Sequence, residues 1–272
     1  MLKWLLDKIS GREAGPPSPQ AEAEHSAPPV RTPDPTGIHW READQERFLR
    51  EAVLPRLNEA VLRDLTALLA SAPGRLHPLD AAVLYAMAGA FEPTRLMETG
   101  SGGSTLVLNK ARHDFHLPGE LISTDPGPAI DLTEIVDAHA AKGAASLHPE
   151  DFAIFQRGEF LLLHLFSGDG EAAAGLRHVV EELLPELPEG VLLGVLGWPE
   201  EAGQADSWPE EARHALAVLL NLLRAHPPLD VYTSPSATKR VLSGPAGVLA
   251  DTAPSGTRPG LLLVRLSALS SV

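Results

Sequence analysis

Cysteine is absent from the 272 residues. That excludes disulfide scaffolds, thiolate zinc sites, iron–sulfur clusters and a cysteine nucleophile together. Aromatic residues make up only 5% of the chain, so a core has to be built from Leu, Val and Ala. Basic side chains are few, 22 Lys and Arg against 36 Asp and Glu, for a formal net charge of −14. With no Lys/Arg-rich run to offset it, this balance repels a phosphate backbone, and no nucleic-acid partner is expected. No apolar run reaches the ~20 residues of a membrane span. Nor does Met1–Ser10 read as a secretory signal, since Asp7 and Lys8 interrupt its apolar pattern and no cleavage-like site follows. A soluble, cytoplasmic protein is the expectation.

What the chain does have is 44% hydrophobic residues, enough for a sizeable core without staples. Met1–Ser10 sets Leu2, Leu5, Leu6 and Ile9 at helical spacing, with Trp4 beside the stripe. It reads either as a docking helix for a protein or membrane surface, or as a short amphipathic end that frays or folds back. Gly11–Gly37 holds seven prolines and no aromatic residue, the composition of a flexible linker. Deleting residues 1–37 is therefore expected to leave the rest folded, which melting curves of the full chain and of a chain starting at Ile38 would check.

From Ile38 the pattern becomes globular, and a domain over 38–272 is expected, with a helical extension over 38–92. Glu42–Ala72 reads as a helical region broken near Pro55. Pro78–Ala90 reads as a helix with Leu79, Val83, Leu84 and Met87 on one face. Short apolar runs then alternate with helical stretches. The runs are Arg95–Glu98, Leu121–Thr124, Phe160–Phe166, Val191–Leu196, Leu229–Thr233 and Leu261–Leu266. The stretches between them are Ser104–Arg112, Asp131–Lys142, Glu171–Leu184 and Pro209–Ala225. This alternation predicts an α/β fold with a mostly parallel sheet covered on both faces. Ser234–Pro259, rich in Gly, Pro and Ser, reads as an irregular excursion before the last strand.

The segment RLMETGSGGSTLVLNKA, residues 95–111, carries the chemistry. A strand ends at Glu98, glycines crowd the turn, and Ser104 and Thr105 open a helix. Gly100 and Gly102 permit positive φ and close approach of a ligand to the backbone. The free N–H groups at the helix start favour an electron-rich group. The turn falls at the carboxyl ends of the strands, where ligands bind in such sheets. A phosphate-binding P-loop is excluded because no Gly-Lys-Ser/Thr triplet exists, and the G-x-S-x-G hydrolase elbow is absent too. Thr105 stands where a nicotinamide-binding G-x-G-x-x-G turn needs its third glycine. What remains is an acid before the glycines and a second acid, Asp125, closing the next strand, where it can accept hydrogen bonds from two ribose hydroxyls. The combination describes an adenosine-bearing ligand.

On these residues the sequence resembles the class I S-adenosylmethionine-dependent methyltransferases. Glu98-Thr99-Gly100-Ser101-Gly102 looks like their first motif, and Asp125 like their ribose-binding acid. The ending through Ser104 and Thr105 is similar to a bacterial subgroup whose loop reads E-x-G-S-G-x-S-T. More weakly, the likeness extends over about Leu79–Thr233. It implies a Rossmann-like, seven-stranded sheet with an antiparallel last strand, and S-adenosylmethionine as cofactor. It also implies cofactor contacts from Glu98, Gly100, Ser101, Gly102, Ser104, Thr105 and Asp125, and methyl transfer to a small or carbohydrate-like acceptor, at oxygen.

The sequence departs from that family where metal and catalytic residues are expected. Gly194–Gly197 reads Gly-Val-Leu-Gly where relatives often carry H-x-H-D, so the metal-dependent mechanism of some relatives has no visible ligands. His164 and Asp169 are the polar candidates near the reaction centre. His164 is a candidate general base, although the plainer expectation is a histidine satisfied by a backbone carbonyl and an aspartate starting a loop turn. His113 and His116 are expected to be a surface pair rather than a zinc site. The losses leave a second reading open, a catalytically inactive protein of this fold that serves binding or assembly.

Overall fold

The apolar runs pair side by side in the computed structural model, which describes residues 40–72, 76–165, 175–199, 208, 210–244, 246, 253 and 258–267. The expectations for Met1–Ser10, Gly11–Gly37 and Asp169 lie outside the described residues. Seven strands form one sheet: β1 (Arg95–Thr99), β2 (Glu120–Thr124), β3 (Ala138–Ala140), β4 (Phe160–His164), β5 (Leu192–Leu196), β6 (Asp230–Thr233) and β7 (Leu262–Arg265). Their order across the sheet is β3-β2-β1-β4-β5-β7-β6. β1 to β5 run parallel to their neighbours, and β7 is inserted antiparallel between β5 and β6. This is the Rossmann-like methyltransferase fold, with its antiparallel last strand.

The runs lack polar alternation because both faces of the sheet are covered. Phe160 and Leu162 of β4 pack in one core and Leu161 and Leu163 in the other, and all four are fully buried. Among the described residues, the first face is covered by α1 (Glu42–Phe48), α2 (Glu59–Ser71), α3 (Pro78–Phe91), α4 (Gly103–Phe115) and α7 (Pro235–Leu242). The second is covered by α5 (Pro149–Phe152), the turns near 176–187 and α6 (Glu210–Ala225).

The break near Pro55 is present. A π-helical turn at Leu49–Val53 and a 3₁₀ turn at Leu54–Arg56 follow α1, and Asn58 caps α2 by accepting from the Val61 N–H at 3.0 Å. The same succession recurs in the region expected to be one helix over Glu171–Leu184. Residues 175–178 are α-helical, then come a π turn at Val179–Leu183 and a 3₁₀ turn at Leu184–Glu186 containing Pro185. In both places proline, which has no N–H to donate, ends the regular ladder.

Three expectations need correction. α3 is buried on every side from Pro78 to Ala90 rather than along one face, as suits a helix apolar all round. Asp131–Lys142 is not a helix but a turn leading into β3. Asp131 Oδ1 accepts from the Thr133 N–H at 3.0 Å and from its hydroxyl at 2.7 Å, a local bond that competes with helix formation. Asp137 then fastens the chain beside β2 by accepting from the Leu121 N–H and from Arg112, each at 2.7 Å. Finally, the excursion expected over Ser234–Pro259 begins with α7, which Ser234 and Pro235 start at its cap and first position.

Candidate functional site

The register Thr99↔Thr124 between β1 and β2 brings the two acidic strand ends to the same edge. The Gly100 N–H donates to the Thr124 carbonyl at 2.8 Å, and the Ser123 hydroxyl donates back to the Gly100 carbonyl at 2.8 Å. These bonds hold the glycine turn in place. Gly100 has φ +123° and Gly102 φ +146°, backbone that a side chain disfavours. Beyond the turn, the Gly102 N–H donates to Thr105 Oγ1 at 2.8 Å and starts α4.

Ser101 and Asp125 meet directly, the hydroxyl donating to Oδ2 at 2.5 Å. Asp125 Oδ1 accepts from the Gly127 N–H at 2.8 Å, and its backbone carbonyl lies 2.8 Å from His139 Nε2. Gly100, Ser101 and Asp125 are partly exposed at this edge, whereas Glu98, Gly102, Ser104 and Thr105 are buried. The seven residues nominated from sequence therefore divide into a surface that a ligand can touch and a buried support beneath it.

Glu98 is the centre of that support. It is 0% exposed; Oε2 accepts from the Ser104 hydroxyl at 2.8 Å and lies 3.6 Å from His164 Nε2. Oε1 is buried and has no hydrogen-bond partner among the described residues. An ionised oxygen in that position calls for a donor or a nearby cation.

His164 closes the group from the end of β4. Its Nε2 lies 3.3 Å from Ser104 Oγ, and its backbone N–H points to Thr99 Oγ1 at 3.4 Å. The ring lies over Gly100, where an added Cβ would sit 3.7 Å from ring carbons. The ring's partners are thus side chains, not the backbone carbonyl that the plainer expectation supplied. His113 and His116 are exposed at the far end of α4, beside a surface pocket of about 520 Å³ lined also by Arg112 and Thr133–Asp137. Among the described residues, no group of three His, Asp or Glu side chains is placed to hold a metal ion, and no helix is long and apolar enough to cross a membrane.

Sequence reasoning passed over three residues at the same edge. The first is Asp80, wholly buried, which accepts from the Gly260 N–H at 2.8 Å and the Leu261 N–H at 3.2 Å just before β7. A lone acid inside an otherwise apolar helix was its signal. Beside it, His77 Nδ1 caps α3 by accepting from the Leu79 N–H at 3.1 Å; burial lowers this imidazole to about 4 and keeps it the neutral acceptor that the cap requires. The third is Gln45, buried against Ser234, whose hydroxyl donates to Oε1 at 2.7 Å. A single glutamine in a polar helix gives no sequence signal. Past β5, Trp198 is buried edge-on against Trp40, with ring centroids 6.1 Å apart.

No family model matches the chain, and no curated protein does. Solved structures give distant likenesses. A plantazolicin methyltransferase BpumL in complex with a pentazolic desmethylPZN analog and SAH is 11% identical over 82% of this chain and 96% of its own, with a TM-score of 0.41. A cmcI chain with SAH is 14% identical over 70% of this chain and 78% of its own, with a TM-score of 0.40. A geranyl diphosphate methyltransferase with GPP and sinefungin is 14% identical over 85% and 86%, with a TM-score of 0.34. Scores this low add nothing to what the strand order already shows.

Proposed function

We propose that this chain binds S-adenosylmethionine at the Gly100–Gly102 turn and Asp125, and transfers its methyl group to a small, hydroxyl-bearing acceptor. The observation that carries the reading is the meeting of the partly exposed Ser101–Asp125 pair with the open glycine turn at one sheet edge. The chain's donor set fits such a ligand. A carboxylate suits ribose hydroxyls, the turn admits a ligand against bare backbone, and the unpartnered Glu98 Oε1 behind it favours positive charge in the cleft.

When bound, this group supplies a methyl on a sulfonium, already a strong electrophile, so positioning is the protein's main task. Asp125 would hold the ribose, with Ser101 fixing the carboxylate's orientation. Gly100 would let the ligand lie along the turn, and Gly102, Thr105 and Ser104 would keep that turn and α4 in register. The inactive-protein reading draws on one observation, the apolar end of β5, where Leu196, Gly197 and the buried Trp198 offer no acidic or basic group.

Calorimetric titration with S-adenosylmethionine and with SAH tests the proposal, and turnover of bound donor on hydroxyl compounds separates enzyme from inactive relative. Asp125→Ala is expected to weaken binding by about 1.5–3 kcal/mol, the scale of hydrogen bonds to a charged acceptor. Stability should fall by no more than about 1 kcal/mol, since only the Ser101 and Gly127 bonds are lost at a partly exposed position. Unchanged affinity with a large drop in melting temperature would make Asp125 structural.

A further inference from the structure

We propose that His164 is the proton acceptor of this cleft, with Nδ1 as the accepting atom and Glu98 and Ser104 as the groups that position it and stabilise its charged form. The assignment follows from counting hydrogens. The Ser104 hydroxyl has one, and it is given to Glu98 Oε2 at 2.8 Å, an oxygen that in the carboxylate can only accept. Ser104 Oγ is then left with lone pairs toward His164 Nε2, 3.3 Å away. That contact is a hydrogen bond only if Nε2 carries the proton. Nε2–H points also toward Glu98 Oε2, 3.6 Å distant.

In the neutral ring the lone pair is therefore on Nδ1, which has no partner among the described residues. The side chain is 20% exposed while Glu98 is 0%. One edge of the imidazole is thus anchored on a buried carboxylate, and no described residue bonds the other, which lies beside Gly100 at the carboxyl end of β4. This is the logic of an acid–histidine pair, in which the acid fixes the tautomer and opposes the charge that forms on the ring. Among the described residues, the ionisable group against the ring is Glu98; Ser104 and Gly100, from the neighbouring helix and turn, carry no charge.

The role rests on the methyl-transfer reading, whereas the tautomer and the coupling to Glu98 do not. In the step, the acceptor's O–H bond breaks with its electron pair staying on oxygen, and the proton bonds to Nδ1. The oxygen pair forms the new bond to the methyl carbon, and the donor's sulfur keeps the C–S pair and leaves as a neutral thioether. The imidazolium then returns its proton to solvent, the side chain being partly exposed.

The test is two-bond ¹H–¹⁵N NMR on the full chain labelled at histidine, with His164 assigned from His164→Gln. We expect the Nε2–H tautomer in the neutral ring, and a titration midpoint that falls by about one unit or more in Glu98→Gln, a tenfold or greater loss of proton affinity. Ser104→Ala is the second variant, with a smaller fall in the same direction, should Glu98→Gln not fold. Saturating SAH should shift the His164 Nδ1 resonance. An Nδ1–H tautomer, or a midpoint indifferent to both substitutions, overturns the inference while leaving the cofactor reading standing. Failure of the parent chain to bind S-adenosylmethionine or SAH overturns the cofactor reading and with it the role, and leaves the measured tautomer and coupling intact.

Discussion

Asp80→Ala is expected to lower the unfolding free energy by about 2–6 kcal/mol, since each of two buried N–H groups left without an acceptor costs about 1–3 kcal/mol. The variant abandons the N–H groups of Gly260 and Leu261, which lead into β7. The loss should depend on pH with a definite sign. Burial pushes the Asp80 carboxyl up from 3.8 to about 7, against the pull of those two N–H groups. Folding thus favours the neutral acid. Its contribution is complete below the unfolded value and is withdrawn as pH rises through about 7. Urea unfolding of parent and variant should therefore show a stability gap that narrows between pH 4 and pH 8. A gap that widened would mean that the ionised carboxylate is the form that holds the strand.

Glu98→Met should do the opposite to stability while removing ligand binding. The buried Oε1 has no partner among the described residues, and a buried carboxylate oxygen without a donor carries a desolvation cost that an apolar side chain of similar volume removes. The neighbours can adjust. With the carboxylate gone, the Ser104 hydroxyl turns its hydrogen to His164 Nε2, and the imidazole shifts to its other tautomer. The melting temperature should hold or rise. Affinity for S-adenosylmethionine should fall by about 2–5 kcal/mol, the scale for truncating one side of a buried charge interaction. Calorimetry and thermal unfolding on the same preparation check both halves. Parent-like affinity in the variant would restrict Glu98 to supporting the turn.

Residues differ in how far the sequence alone reveals their roles, and the reason is physical. β4 was readable because a strand buried on both faces needs every side chain apolar, and Phe160–Leu163 has no other economical use. β3 was not. Ala138, His139 and Ala140 sit at the sheet edge, mostly exposed, and their pairing depends on backbone bonds and on Asp137 rather than on hydrophobicity. The Ser-Pro start of α7 was a usable signal that the surrounding Gly, Pro and Ser content obscured. At the site, the glycine turn and Asp125 were legible as local pattern. The burial of Glu98 was not, because it depends on Ser104 and on His164, which reaches it through the β1–β4 pairing. A polar residue's role is set by what the fold brings against it, and local spacing does not encode that.

β6 occupies the sheet edge with β7 as its neighbour, and this gives the domain a timetable. Residues 230–233 leave the ribosome well before residues 262–265. At about 5–20 residues per second the interval lasts seconds. Throughout it β5 presents an open hydrogen-bonding edge and β6 has nowhere to pair, the condition under which strands recruit foreign partners. Only when Leu262–Arg265 slides between them do Leu193 and Val231 both face Val264. The strand made last is therefore the one that seals the sheet, and a nascent chain halted before Gly260 keeps its far half unsealed.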